Sequence, residues 1–254
     1  MLLKTYRTLL LITLNFMLLF PGMLLNLFFL PAGRSRAKMQ AVMTMLWSRA
    51  MCSILGIRVA KGGRRTKSVF FTVCNHASYV DVLAMGSLKP TAFLSNHEVK
   101  GWPLIGWLAR LGGTVFVNRN SKRASLRSML EIERKIDYGI RVVIFPEGTT
   151  SDGRSVKAFK STFFNIPARH NMHVRPVSIR YAGEVVDKVA WHGGKKIGPH
   201  FWTLAGLRKI NVAVLYGNPI PPQSVGVSTV EARKRLRDLA HESIVQGFEA
   251  LKRN

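Results

Sequence analysis

The spacing of hydrophobic positions changes along the chain. From Thr8 to Gly33 they are nearly continuous, Leu and Phe dominate, and no residue is charged; Lys4, Arg7, Arg34, Arg36 and Lys38 flank the run. From Met39 to Leu55 they recur at helical spacing through Met39, Val42, Met43, Leu46, Trp47, Ala50, Met51, Ile54 and Leu55, while Lys38, Ser48, Arg49 and Ser53 are polar. That pattern predicts an amphipathic helix. Beyond Gly62-Gly63, read as a loop, short apolar runs alternate with helical stretches. Alternation of this kind predicts an α/β domain in which a mixed, largely parallel sheet is flanked by helices. The expected strands are Val69 to Val73, Thr91 to Leu94, Thr114 to Val117, Arg141 to Phe145, Arg175 to Arg180 and Asn211 to Tyr216. The expected helices are Tyr79 to Leu88, Trp102 to Leu111, Ser121 to Tyr138, Ser161 to Arg169 and Thr229 to Leu251. Gly112-Gly113, Tyr138-Gly139 and Pro219 to Pro222 read as turns, and Tyr181 to Arg208 as a loop excursion.

The first apolar run is long enough to cross a bilayer, which takes about 20 residues. A signal peptide is disfavoured, since the run exceeds the usual apolar core of roughly 7 to 15 residues and no A-x-A site follows. A spanning helix and a helical hairpin dipping into one leaflet both remain. Pro21-Gly22 interrupts the run where helix continuity is poorest, and Asn15 and Asn26 add polar groups on either side. Residues 1–60 are therefore expected to form membrane-associated helices, inserted shallowly, and residues 61–254 the α/β domain. The stripe from Met39 to Leu55 suits either a membrane interface or packing on the domain.

Lys and Arg total 38 against 13 Asp and Glu, a formal net charge of +25. Such an excess implies an anionic partner: nucleic acid, a membrane surface or a phosphorylated substrate. Aromatic-rich basic motifs of nucleic-acid binders are absent, so an anionic membrane is expected and nucleic acid is not. Cys52 and Cys74 offer at most one bridge and no metal-type spacing, which leaves a cytoplasmic face as the default. His170 and His173 have no third ligand, and no metal is expected.

Chemistry is sought at the carboxyl ends of the strands, where ligands bind in open α/β sheets. Asn75-His76 follows Val69 to Val73, Asn118-Arg119 follows Thr114 to Val117, and Pro146-Glu147-Gly148-Thr149-Thr150 follows Arg141 to Phe145. A neutral histidine can take a proton from an alcohol, and Asp81, five residues after His76, can orient its ring. Arg119 can hold an anionic head group, and amides around Gly148 to Thr150 can cradle a phosphate or an oxyanion. A bland reading coexists: Ser78 with Asp81 is a capping box for the next helix.

In order, NHASYVD, GTVFVNR, FPEGTT and HVRPVSI resemble the four sequence blocks of the glycerolipid acyltransferases, over about Val69 to Ile179. The resemblance implies an α/β enzyme with an N-terminal membrane-dipping helical motif, working at the cytoplasmic side of the inner membrane. It makes His76 the base and Asp81 its partner, with the acceptor hydroxyl attacking a fatty acyl thioester on acyl carrier protein or coenzyme A. Asn75, Arg119, Glu147, Gly148 and Thr149 are placed at the substrate, Pro176 is expected to shape the acyl pocket, and no cofactor is implied. Where many lysophosphatidate enzymes read E-G-T-R-S, this chain reads Glu147-Gly148-Thr149-Thr150-Ser151-Asp152-Gly153, similar to enzymes acting on lyso-ornithine lipids. Arg154, Lys157 and Lys160 lie near enough to compensate. Lysophosphatidate is taken as the first acceptor, lyso-ornithine lipid as the alternative, and a non-catalytic basic membrane-binding protein as the rival class.

Overall fold

The computed structural model describes residues 1–63, 69–118, 121–223 and 225–253. Its strands are β1 (Ile57–Gly63), β2 (Phe71–Cys74), β3 (Thr91–Asn96), β4 (Val115–Val117), β5 (Arg141–Ile144), β6 (Val174–Tyr181) and β7 (Ile210–Tyr216). They form one sheet in the order β1-β7-β6-β2-β5-β3-β4. Neighbours run parallel, except that β6 and β7 are antiparallel.

The helices are α1 (Leu2–Phe28), α2 (Gly33–Leu55), α3 (Val80–Leu88), α4 (Ile105–Leu111), α5 (Lys122–Asp137), α6 (Asn165–Arg169), α7 (Val185–Val189), α8 (Ile197–Ala205) and α9 (Thr229–Arg253). They cover both faces of the sheet, which is why the central strands are apolar runs rather than alternating ones. Successive strand residues still point to opposite faces. Val143 and Phe145 enter one core with Cys74, Val177, Ile179 and residues of α2, α3 and α8. Val142 and Ile144 enter the other with Phe71, Val73, Val174 and residues of α5, α6 and α9. On α9 the buried residues Ala232, Leu236, Ala240, Ile244 and Phe248 recur every four positions, a single stripe against the sheet.

Several expectations change. Gly62-Gly63 is not a loop: it ends β1, paired with Leu215 and Tyr216 of β7. In β1 only Ile57 is buried, so this edge strand carries no alternation to read. A Cβ on Gly63 would lie 2.1 Å from the Tyr216 carbonyl oxygen, and its φ is +81°, so the pairing requires glycine. The excursion from Tyr181 to Arg208 contains α7 and α8. The helix expected from Trp102 begins at Ile105, after a 3₁₀ turn over His97–Gly101, and that expected from Ser161 is a 3₁₀ turn followed by α6.

Pro21 does not break α1, which runs unbroken from Leu2 to Phe28. A proline inside a helix costs about 3 kcal/mol, so other contacts must hold this one together. The inner face of α1 provides them. Asn15 accepts from the indole of Trp47 at 2.8 Å. Asn26 accepts from Gln40 at 2.7 Å and donates to the Leu111 carbonyl at 3.2 Å, while Arg7 donates to the Leu207 carbonyl. The polar groups that made the run ambiguous thus dock it on the protein. Its other face, including Leu9, Phe16, Phe20, Leu27 and Phe28, is exposed. Trp107 on α4 and Trp202 on α8, two helices packed against α1, are exposed as well.

Candidate active site

β2 and β5 are parallel neighbours, so the loops leaving their carboxyl ends emerge side by side. The β2 loop carries His76 and the β5 loop carries Glu147, and the two are bonded: Glu147 Oε1 accepts from the His76 amide at 3.0 Å. Ser151 N donates to the His76 carbonyl at 2.8 Å, closing the pair of loops from the other side.

The His76 ring is fixed on two sides. It stacks on Phe145, with centroids 4.0 Å apart and planes 17° apart. Nδ1 lies 2.8 Å from Asp81 Oδ2. The aspartate is fully buried in the first turn of α3. Its Oδ2 also accepts from the amides of Ala77 at 2.7 Å and Ser78 at 2.9 Å. Being an acceptor, this carboxylate demands a proton on Nδ1, which leaves the Nε2 lone pair as the ring's basic site. The bland reading holds in part. Asp81 reaches back to the Ser78 amide as a capping box requires, but Ser78 Oγ accepts from Val80 N at 3.3 Å rather than from Asp81. Cap and dyad share one oxygen.

Glu147 is buried too, but its Oε2 has no partner among the described residues. Burial, set against the His76 amide bond, pushes its carboxyl up to about 8, and the charge on Asp81 adds to the rise. At neutral pH it is predominantly a carboxylic acid. Cys74 is pushed far up, first by burial and then by Asp81, so it is an unreactive thiol rather than an acyl-accepting nucleophile.

The other expected site residues have different surroundings. Asn75 has both side-chain amide atoms bonded to the protein: its Nδ2 donates to the Ile179 carbonyl at 2.8 Å and its Oδ1 accepts from the Ile179 amide at 2.7 Å. Both amide atoms thereby tie the end of β2 to β6. Gly148, at φ +76°, forms the turn, and its amide donates to the Phe145 carbonyl at 3.1 Å. Thr149 is exposed. Arg119 lies outside the described residues. Pro176 sits inside β6, where its lack of an amide proton coincides with the departure of β7 from the ladder, and its carbonyl accepts from Gly217. A cavity of about 260 Å³ between α5 and the ends of β3, β4 and β5, lined by Leu94, Val117, Met129, Ile144, Phe163 and Ile166, does not include it.

Two further residues meet the site from distant parts of the chain. Tyr181, the last residue of β6, donates its hydroxyl to Asp81 Oδ1. Trp191 donates its amide to the Ala77 carbonyl and accepts from the Thr150 hydroxyl, joining the site to the segment between α7 and α8. Sequence separations of 100 and 41 residues gave no local signal for either contact.

Comparison with known proteins gives the chain's relatives. The family model described as Acyltransferase matches residues 56–180. Lyso-ornithine lipid O-acyltransferase of Pseudomonas aeruginosa is 31% identical over 72% of this chain and 71% of its own. A 1-acyl-sn-glycerol-3-phosphate acyltransferase of Neisseria gonorrhoeae is 26% identical over 74% of this chain and 75% of its own. The crystal structure of the LPA acyltransferase PlsC from Thermotoga maritima superimposes with a TM-score of 0.64, at 21% identity, over 99% of this chain and 98% of that one. The fold is shared, and likeness to a curated relative extends over most of both sequences; the chain belongs to the glycerolipid acyltransferase family.

Proposed function

We propose that the enzyme moves a fatty acyl group from a thioester of acyl carrier protein or coenzyme A to the hydroxyl of lyso-ornithine lipid. The observation that carries the chemistry is the His76–Asp81 pair, with one ring nitrogen held by a buried acceptor at 2.8 Å and the ring face held by Phe145. His76 Nε2 takes the acceptor's hydroxyl proton as that oxygen attacks the thioester carbonyl. The tetrahedral intermediate collapses, the carbon–sulfur bond breaks, and the leaving thiolate receives the proton back from His76. No protein nucleophile is needed.

The loop after β5 favours this acceptor. Thr150 occupies the position of the arginine in E-G-T-R-S, and its hydroxyl is bonded to the Trp191 carbonyl. Of the three nearby cations two are engaged: Arg154 forks onto both oxygens of Asp187 at 2.8 and 2.9 Å, and Lys157 bonds the Thr150 carbonyl at 2.8 Å, while Lys160 is exposed. Cations already paired in this way are poorly placed to replace a phosphate-binding arginine. Lysophosphatidate is the second reading, supported by the likeness to the Neisseria gonorrhoeae enzyme. Acyl transfer to each lysolipid by native and His76→Ala protein tests both claims. A loss of about 10²–10⁴-fold is expected for the variant, with lyso-ornithine lipid the faster acceptor. Full transfer by His76→Ala would exclude the base, and a faster reaction with lysophosphatidate would reverse the acceptors.

We further propose that α1 lies in one leaflet of the inner membrane with the α/β domain in the cytoplasm. Its polar face is occupied by Trp47, Gln40 and the Leu111 and Leu207 carbonyls, and only its outer face is apolar and exposed. Exposed tryptophans and flanking cations suit such an interface. Removing residues 1–28 should release the protein from anionic vesicles in a flotation assay. Undiminished flotation would count against α1 as the anchor.

A further inference from the structure

The fourth hydrogen bond to Asp81 extends the dyad into a chain of three side chains. Oδ2 is saturated by His76 Nδ1 and the amides of Ala77 and Ser78. Oδ1 accepts from the Tyr181 hydroxyl, a bond between two buried groups contributed by α3 and by the end of β6. We propose that Tyr181 is a positioning residue of the catalytic machinery: its hydroxyl fixes the rotation of the Asp81 carboxylate and moderates the charge that His76 experiences. This rests on His76 acting as the base.

The geometry supports the role in two ways. A carboxylate pinned at one oxygen by three donors can still swing its second oxygen, and Tyr181 supplies the bond that stops it. Tyr181 is in turn held by the β6–β7 ladder, opposite Val212, so the carboxylate is braced from the centre of the sheet. Its hydroxyl is also a dependable donor, because burial and the Asp81 charge hold the phenol far above its ordinary range.

The electrostatic effect has a definite sign. Each donor to a carboxylate draws negative charge away from its other partners. Removing the Tyr181 hydroxyl strengthens the field of Asp81 at the imidazole, favours the protonated ring and delays activation of the base as pH rises. Other titratable groups face the same cluster. Cys52 comes from α2 and is pushed up to about 11, mainly by burial; Cys74 comes from β2, Tyr79 from the start of α3 and Glu147 from the β5 loop. Lys157 acts on Glu147, lowering its carboxyl against the effect of burial. All of these residues are present in both native and variant proteins, so the difference between the two profiles reports the loss of that oxygen.

The test is the pH dependence of kcat/KM for Tyr181→Phe with membrane-bound, full-length enzyme. The acid limb should move up by about half to one pH unit, with the high-pH plateau within about ten-fold of native. A lowered plateau with an unmoved limb would mean that Tyr181 only fills space, and would overturn the proposal. If Tyr181→Phe fails to fold, 3-fluorotyrosine at position 181 preserves the shape and donates more strongly. Its acid limb should then move down, and an unmoved limb would again overturn the proposal. Activity retained by His76→Ala would instead refute the base itself, a result separate from either Tyr181 outcome.

Discussion

Asp81 and Glu147 are two carboxyl groups sealed from water at the same edge of the sheet, and they are kept in opposite ways. Asp81 accepts from an imidazole, two amides and a phenol, so each oxygen is bonded. Glu147 accepts from one amide through Oε1 and has Oε2 unpartnered among the described residues. The first is the environment of a charged group, since donors replace the water lost on burial; the second suits a neutral acid. The separation follows from position in the fold. Asp81 lies in the first turn of α3, where amides have no helical partner of their own, while Glu147 follows a strand and meets the His76 amide of the loop beside it, with Lys157 acting more weakly.

The comparison breaks most visibly at Asp81. Replacing it with Asn preserves shape: the amide oxygen can serve the Oδ2 donors, and Tyr181 can turn its hydroxyl from donor to acceptor. Only the charge that stabilises a protonated His76 is lost. A fall in kcat of about 10²–10⁴-fold is expected, with little change in KM. Steady-state kinetics of Asp81→Asn check this. A variant within a few-fold of native would show that the saturated carboxylate serves the helix cap and not the reaction.

Much of this edge was legible in the sequence, for a physical reason. Strands β2, β4 and β5 are buried runs, so their ends are marked by an abrupt change to polar residues, and those ends are where a parallel sheet places ligands. The spacing of His76 to Asp81 needed only one loop and one helical turn to become a contact. What could not be read depended on strand order. The amide of Asn75 is bonded to Ile179 because β2 lies beside β6, an adjacency no local pattern reveals. Tyr181 reached Asp81 through the same adjacency. Pro21 misled differently: intrinsic propensity argued for a break, and the docking of Asn15 and Asn26 on α2 overrode it. The Ile57–Gly63 strand carries no strand signal because an exposed edge needs no hydrophobic alternation.

A smaller effect sharpens the comparison from the Glu147 side. Its carboxyl sits at about 8 in the folded protein against an ordinary 4.5. Between those values the unfolded chain loses a proton that the folded chain keeps, so the folded state binds more protons and its stability falls as pH rises. The slope for one such group approaches about 1.4 kcal/mol per pH unit, and it levels off above the folded value. Glu147→Gln removes the titration and retains an oxygen able to accept from the His76 amide. Thermal midpoints in detergent from pH 5 to 9 should therefore show the native protein losing ground steadily to the variant up to about pH 8, then running parallel to it. A constant gap across the range would mean that Glu147 titrates alike in both states. The His76 amide, with the weaker help of Lys157, would then suffice to hold a charge, and the contrast with the four donors around Asp81 would lose its electrostatic meaning.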